Sequence, residues 1–268
     1  MLRNPKKTRA ALWIVACELA IIFAGSTLPT PLYLTYCREF GFSEITLTLV
    51  YAVYVLGNLF ALFIFGRLSD QVGRKATSLP ALGIAGLSTL AFCLATNTSW
   101  LFAARVLSGF ATGLGAGAAT AWIAELHPRK DKVEAAVIAV SANFIGLALG
   151  PLVAGLLAAY APLPLRLAYF IYAALLVSVA VGTSFAPETV DDPVHRIRQI
   201  SIRPRLGVPS NIRSQFVAPA VTAFGIFSLI GFYSALVPGV LVESLQKRSP
   251  ATAEWSYSDC SPFLRSRQ

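Results

Sequence analysis

Long runs of apolar residues, separated by short polar intervals, divide most of this chain. The runs lie near Ala11 to Leu34, Thr46 to Phe65, Thr77 to Ala95, Trp100 to Ala124, Ala135 to Tyr160, Leu167 to Ala186 and Phe216 to Val242. A helix rises about 1.5 Å per residue and the hydrocarbon core of a bilayer is roughly 30 Å thick, so about 20 apolar residues make one crossing. The runs are continuously apolar and do not alternate, which predicts membrane-spanning helices and argues against the strands of a barrel.

The spacing of the runs predicts an all-α integral membrane protein with a six-helix bundle over residues 1–190, built as two groups of three. A polar stretch with Pro193, Pro204 and Pro209 reads as an inter-bundle linker over 191–215. A seventh transmembrane helix is expected at 216–242. Residues 243–268 form a polar tail without a further apolar run, which reads like a truncation or a shifted reading frame.

Composition strengthens the membrane reading, since 56% of the 268 residues are hydrophobic and 13% are charged. A net charge of +9 would suggest nucleic-acid binding in a soluble protein. Its distribution suggests topology instead, with no nucleic-acid partner. Arg3, Lys6, Lys7 and Arg9 precede the first span; Arg67, Arg74 and Lys75 follow the second; Arg129, Lys130 and Lys132 follow the fourth; Arg196, Arg198, Arg203, Arg205 and Arg213 follow the sixth. The alternate loops carry only Arg38 and Arg166. Basic residues in short loops stay cytoplasmic, so the N-terminus is expected inside, in a multi-pass protein of the cell membrane. Lys247, Arg248, Arg265 and Arg267 in the tail conflict with that rule if seven spans precede them. The first run is too long for the apolar core of a secretory signal.

Cys17, Cys37, Cys93 and Cys260 are scattered without a paired motif, so the sequence indicates no metal site and no disulfide framework. His127 and His195 fall in loops. No histidine lies in a span and no nucleophile clusters with a base, which argues against an intramembrane enzyme.

The interval after the second span reads Gly66-Arg67-Leu68-Ser69-Asp70-Gln71-Val72-Gly73-Arg74-Lys75. As physical chemistry it suits a tight turn: Gly73 permits a backbone conformation that other residues resist, and Asp70 can cap a helix N-terminus. As an ordinary basic loop it would need no further role. The string also resembles the G-x-x-x-D-x-x-G-R-[RK] signature of the major facilitator superfamily, every position of which is filled, between the second and third helices as in that family.

Two further strings agree. In the fourth span Arg105, Gly109, Gly113 and Gly117 recur at a spacing of four, on one helix face, where glycines let another helix approach closely. Taken alone the stripe reads as packing rather than transport chemistry. In the fifth span the run from Gly146 through Gly150 and Pro151 to Gly155 is similar to the G-x-x-x-G-P-x-x-G-G motif of the superfamily's drug-proton antiporters, with Ala154 replacing one glycine. Pro187-Glu188-Thr189 is similar to a recurrent segment of the superfamily.

The resemblance implies two bundles that rock about a central site, with Gly66, Asp70, Gly73, Arg74 and Lys75 latching the cytoplasmic face and Glu125 and Arg129 as ionic partners. The alternative for those last two is a solvated position at the membrane boundary. Two charges are expected deeper. Glu18 lies seven residues into the first span, about 10 Å along the axis, and should face a cavity or a partner. Loss of hydration favours its neutral form, which can release a proton when the cavity opens. Arg105 lies five residues from the outer end of the fourth span, from where it can snorkel to the interface. The resemblance makes it instead the arginine of the antiporter branch's fourth-helix motif, implicated in proton coupling. Tyr51, Tyr54, Asn58, Trp122 and Asn143 are polar or aromatic members of spans that can line a path, and none is assigned as a ligand.

The function implied is secondary transport of a small molecule, as proton-coupled efflux driven by the proton gradient, with no cofactor. Proton-coupled uptake is the alternative. A non-transporting fragment is a third reading, because the family normally has about twelve helices. A homo-oligomer is a fourth, relevant if the short chain functions by pairing two copies.

Overall fold

Helix α1 (Pro5–Thr27) ends just before Pro29 and Pro31, which close the expected first span earlier than hydropathy alone suggests. A 3₁₀ turn at Thr30–Leu32 then leads into a short helix α2 (Tyr33–Phe40), which the apolar pattern did not predict. Gly41 stops α2 in the left-handed conformation, at φ 65°. In this computed structural model of the chain, the structure describes residues 5–161, 163, 165–191, 193 and 213–246. Most of the expected linker, His195, Cys260 and the tail beyond residue 246 lie outside the described residues.

The remaining helices are α3 (Glu44–Phe65), α4 (Leu68–Val72), α5 (Arg74–Cys93), α6 (Thr98–Leu126), α7 (Lys132–Tyr160), α8 (Leu167–Phe185) and α9 (Arg213–Gln246). Among the described residues there is no strand. Local chemistry explains most starts. The Ser43 side chain accepts the Thr46 N–H at 3.3 Å, Asn97 accepts that of Trp100 at 3.3 Å, and Asp131 accepts those of Val133 and Glu134 at 2.8 and 3.2 Å. Those two backbone donors, Glu134 first, hold the Asp131 carboxyl below its ordinary range.

Among the described residues, six helical segments are long and apolar enough to cross a membrane: Lys7–Leu32, Ile45–Phe65, Arg74–Cys93, Thr98–Leu126, Lys132–Tyr160 and Leu167–Phe185. Together with the family fold established below, they make this a membrane protein. Helix α6 is the most enclosed of the six, with α3 and α5 packed along it; α1 lies against α6, α7 and α8. Around Trp122, Ile123 and Leu126, the first turns of α1 (Ala11, Leu12, Val15, Leu19) and α7 (Ala135, Ala139, Ala142) form an apolar core of small and branched side chains. The outward faces stay apolar, with Leu56, Val137 and Phe185 all exposed. In lipid such faces carry no hydrophobic penalty.

Two units make up the chain, residues 1–204 and 205–268. In the second, α9 covers the expected seventh span and extends past it on both sides, so the first residues of the expected tail are helical. Glu243, Ser244 and Gln246 are polar but do not break a helix, and the next proline is Pro250.

Candidate functional site

At the end of the bundle where α5 begins, Arg74 is the hub. Its Nη1 donates to Asp70 Oδ1 of α4 at 2.5 Å and to Ser69 Oγ at 2.8 Å. Its Nε and Nη2 reach the Glu125 carboxylate of α6, with Nη2 to Oε1 at 2.6 Å. The guanidinium side chain is only 8% exposed, whereas Asp70 and Glu125 stay partly open at 56% and 35%. A planar fork with several fixed donors is what joins two carboxylates from different helices. Thr189 donates its hydroxyl to the other Glu125 oxygen.

Asp70 was expected as a helix cap, and the structure gives that role to Glu188 instead. Asp70 is drawn to Arg74 one turn away, because a guanidinium binds a carboxylate more strongly than a backbone amide does. The Glu188 carboxylate, contributed after α8, accepts the backbone N–H groups of Arg74 at 2.9 Å and Lys75 at 3.0 Å, and also those of Thr189 and Val190. Partial burial pushes its carboxyl up, but the four amide donors outweigh that and hold it below the usual glutamate range. Gly73 makes the approach possible: its φ is 117°, and a Cβ there would lie 2.6 Å from Glu188 Oε2. Gly66 terminates α3 in right-handed geometry and needs no glycine-specific angle.

Arg129, expected in the latch together with Glu125, pairs elsewhere. It is 78% exposed and pairs with Glu134 Oε1 at 3.3 Å in the turn between α6 and α7. Glu125 is already engaged by Arg74, and α7 presents Glu134 closer to the turn. His127 is held there too, with Nδ1 accepting the Asp131 N–H and Nε2 at 3.1 Å from Glu134.

Glu18 is fully enclosed between α1, α5 and α8. Its Oε2 accepts the Thr183 hydroxyl at 3.0 Å. Ser78 of α5 lies beside it, and both Glu18 Oε1 and Ser78 Oγ are buried outside hydrogen-bonding geometry. Ser78 sits one helical turn from Arg74 on α5, so the carboxyl lies beside a helix that carries part of the latch.

Arg105 does not snorkel. It is 1% exposed and donates Nε to the Tyr33 hydroxyl and Nη1 to the Ser26 carbonyl at 2.6 Å. Three rings surround its guanidinium, Tyr33, Tyr51 and Tyr54, with centroids 5.1, 5.4 and 5.4 Å from Cζ. Among the described residues it has no ion pair with a carboxylate. Glu18 and Arg105 do not meet: their contacts on α1 are eight residues apart, about 12 Å along the axis. Between those levels Ile22 and Gly25 line a crevice with Ser88, Thr89, Ser108 and Thr112.

The glycine motifs prove to be contact surfaces. A Cβ at Gly109 would overlap the Tyr54 carbonyl, and one at Gly113 would lie 2.6 Å from the Asn58 carbonyl, so these two seat α6 on α3. Gly117 of the same stripe faces open space. On α7, Gly146 and Gly150 abut the backbone of α1 at Ala20 and Ala24, and Gly155 sits under Pro31. Of the remaining path candidates, Trp122 is a buried donor to the Pro187 carbonyl at 3.1 Å, and Asn143 buries Oδ1 without a partner.

Sequence reasoning noted Pro187-Glu188-Thr189 only as a recurrent string and gave Ser69 and Tyr33 no role. The signal available for Glu188 was an acid just after a span at the basic end. Tyr33 had none, since an aromatic near a span end reads as an interface anchor.

The sequence pattern of the Major Facilitator Superfamily matches residues 15–253. Similar proteins include "Multidrug resistance protein 2" of Bacillus subtilis, 25% identical over 185 residues that cover 69% of this chain and 46% of the relative. "MFS-type transporter traF" of Penicillium crustosum is 29% identical over 57% of this chain and 33% of its own. "Quinolone resistance protein NorA" of Staphylococcus aureus is 25% identical over 55% and 38%. The chain thus spans less than half the length of these relatives.

Proposed function

Because this chain belongs to the major facilitator superfamily, a family of transporters rather than enzymes, we propose that it serves proton-coupled export of small organic molecules. The reading places it in the cell membrane with the N-terminus cytoplasmic, the side on which its basic loops belong. Its apolar outer faces meet lipid. Asp70, Arg74, Glu125 and Glu188 then form the cytoplasmic latch, and release of substrate requires that latch to open and close.

The observation that carries proton coupling is Glu18, an intramembrane carboxyl with one oxygen unpartnered and no exposure, held between three helices. A group in that setting changes protonation only when the helices around it separate, which ties a proton to a conformational step. Arg105, enclosed without a carboxylate, supplies a fixed positive field in the same bundle. Export is favoured over uptake by the α7 motif and by the names of two relatives, a multidrug and a quinolone resistance protein.

The test is dye transport in vesicles that contain only this chain, with an imposed pH gradient and empty vesicles as control. Antiport predicts export driven by protons moving the other way; symport predicts the opposite response to the same gradient. Glu18→Gln keeps an acceptor for Thr183 but carries no titratable proton, so its transport should lose dependence on the gradient. Undiminished proton dependence in that variant would overturn the assignment.

A further inference from the structure

Helix α7 contains Pro151, which has no N–H to offer the carbonyl one turn earlier, that of Leu147. A carbonyl orphaned inside a membrane bundle has no water to turn to, and a proline within a span is tolerated where a neighbouring side chain supplies the missing partner. Thr27, the last residue of α1, lies where such a partner is needed. Its Oγ1 is 3.2 Å from the Leu147 carbonyl oxygen.

The hydroxyl has two other acceptors within reach, the Phe23 and Ala24 carbonyls of its own helix, both at 3.3 Å. Those two are already served. Phe23 O accepts the Ser26 hydroxyl at 2.7 Å, and Ala24 O accepts the Leu28 N–H at 2.8 Å. A hydroxyl has one proton to donate, and Leu147 is both its nearest acceptor and the one that lost its helical donor. Gly150 keeps the route open, since a Cβ at that position would lie 2.5 Å from Thr27 Oγ1.

We propose that Thr27 is a positioning residue whose hydroxyl replaces the backbone donor that Pro151 removes from α7, so that α1 and α7 are joined at that level. Gly150, Pro151 and Thr27 then act as one unit: the proline frees the carbonyl, the glycine admits the neighbouring helix, and the threonine closes the hydrogen bond. The bond joins two spans whose crossing is otherwise made by glycine against backbone at Gly146 and Gly150. A hydrogen bond is directional where glycine contacts slide, so it sets the register of α7 on α1. This inference is independent of whether the chain transports anything.

The test is a double-mutant cycle on the full chain in lipid nanodiscs, read by thermal unfolding. Thr27→Val preserves shape and removes the donor; Pro151→Ala restores an N–H for Leu147. In the wild-type background Thr27→Val should lower the unfolding midpoint by about 2 to 4 °C, and Thr27→Ser should recover most of it. In the Pro151→Ala background Thr27→Val should have little effect, because the helix now satisfies its own carbonyl. If Thr27→Val fails to fold alone but folds when combined with Pro151→Ala, the proposal stands. Equal losses in both backgrounds, no loss in either, or failure to fold in both would overturn it.

Discussion

The Glu188 carboxylate accepts the N–H groups of Arg74 and Lys75, at 2.9 and 3.0 Å, and so caps α5 from the segment that follows α8. The acid that caps this helix comes from beyond α8, more than a hundred residues along the chain. Helix N-termini need such acceptors because their first amides have no partner within the helix. Removing this one with Glu188→Ala should cost about 1 kcal/mol, the usual value of a cap, and Glu188→Gln should cost less. The pH dependence follows from the carboxyl being held below its ordinary range. Its stabilisation is full above the unfolded glutamate's range and is lost as pH falls through the folded value. Thermal unfolding from neutral pH towards about pH 3 should therefore show a steeper loss in the wild type than in Glu188→Gln.

Arg74 should not be replaceable by lysine. Its Nη1 serves Ser69 and Asp70 while Nε and Nη2 serve Glu125, and a single ammonium cannot match that fork. Arg74→Lys should lower the unfolding midpoint nearly as far as Arg74→Ala. A cycle of Arg74→Ala with Glu125→Ala should give a coupling of about 1 to 2 kcal/mol, between exposed and buried pairs. A coupling near zero would mean that the pair contributes nothing to stability.

Within one glycine stripe the structure predicts opposite outcomes. Gly109→Ala places a methyl on the Tyr54 carbonyl and should destabilise the bundle by about 1 to 3 kcal/mol, because backbone cannot yield as a side chain can. Gly117→Ala meets nothing within 4 Å and should be neutral or slightly stabilising, since alanine is the better helix former. Unfolding midpoints of the two purified variants decide the matter.

Arg105 and Tyr33 should behave as one unit. The arginine needs acceptors because it is buried without a carboxylate, and the Tyr33 hydroxyl is one of two that it has. Tyr33→Phe retains the ring over the guanidinium and removes only that acceptor. It should destabilise the wild type by about 1 to 3 kcal/mol and have little effect once Arg105 is replaced by leucine. Midpoints from the four combinations test the coupling.

How much of this was legible in the sequence differs from residue to residue. The six spans could be read because hydropathy over about 20 residues and the length of a crossing are local properties. The role of Gly73 could be read as well, since its neighbourhood in the chain demands a turn. The partner of Arg74 could be read in part: Glu125 and Arg129 were both candidates for the latch, and nothing local ranks them. Glu188 as the cap of α5 was invisible, because an N-cap search looks at the residues just before a helix and this acceptor comes from another one.

By itself the sequence determined an all-helical membrane chain, the positions of its spans, the basic end of the bundle and the motif that marks its family. Those follow from apolar run length, charge placement and residue types that a tight turn requires. Only the tertiary structure decided that Arg105 is enclosed by tyrosines, that it meets α1 at Ser26, about 12 Å along the axis from Glu18, and that Thr27 reaches the carbonyl freed by Pro151. The physical reason is that a side chain's partner depends on how two helices cross and in what register. The 3.6-residue period of each helix specifies which face is presented, and leaves open what that face meets.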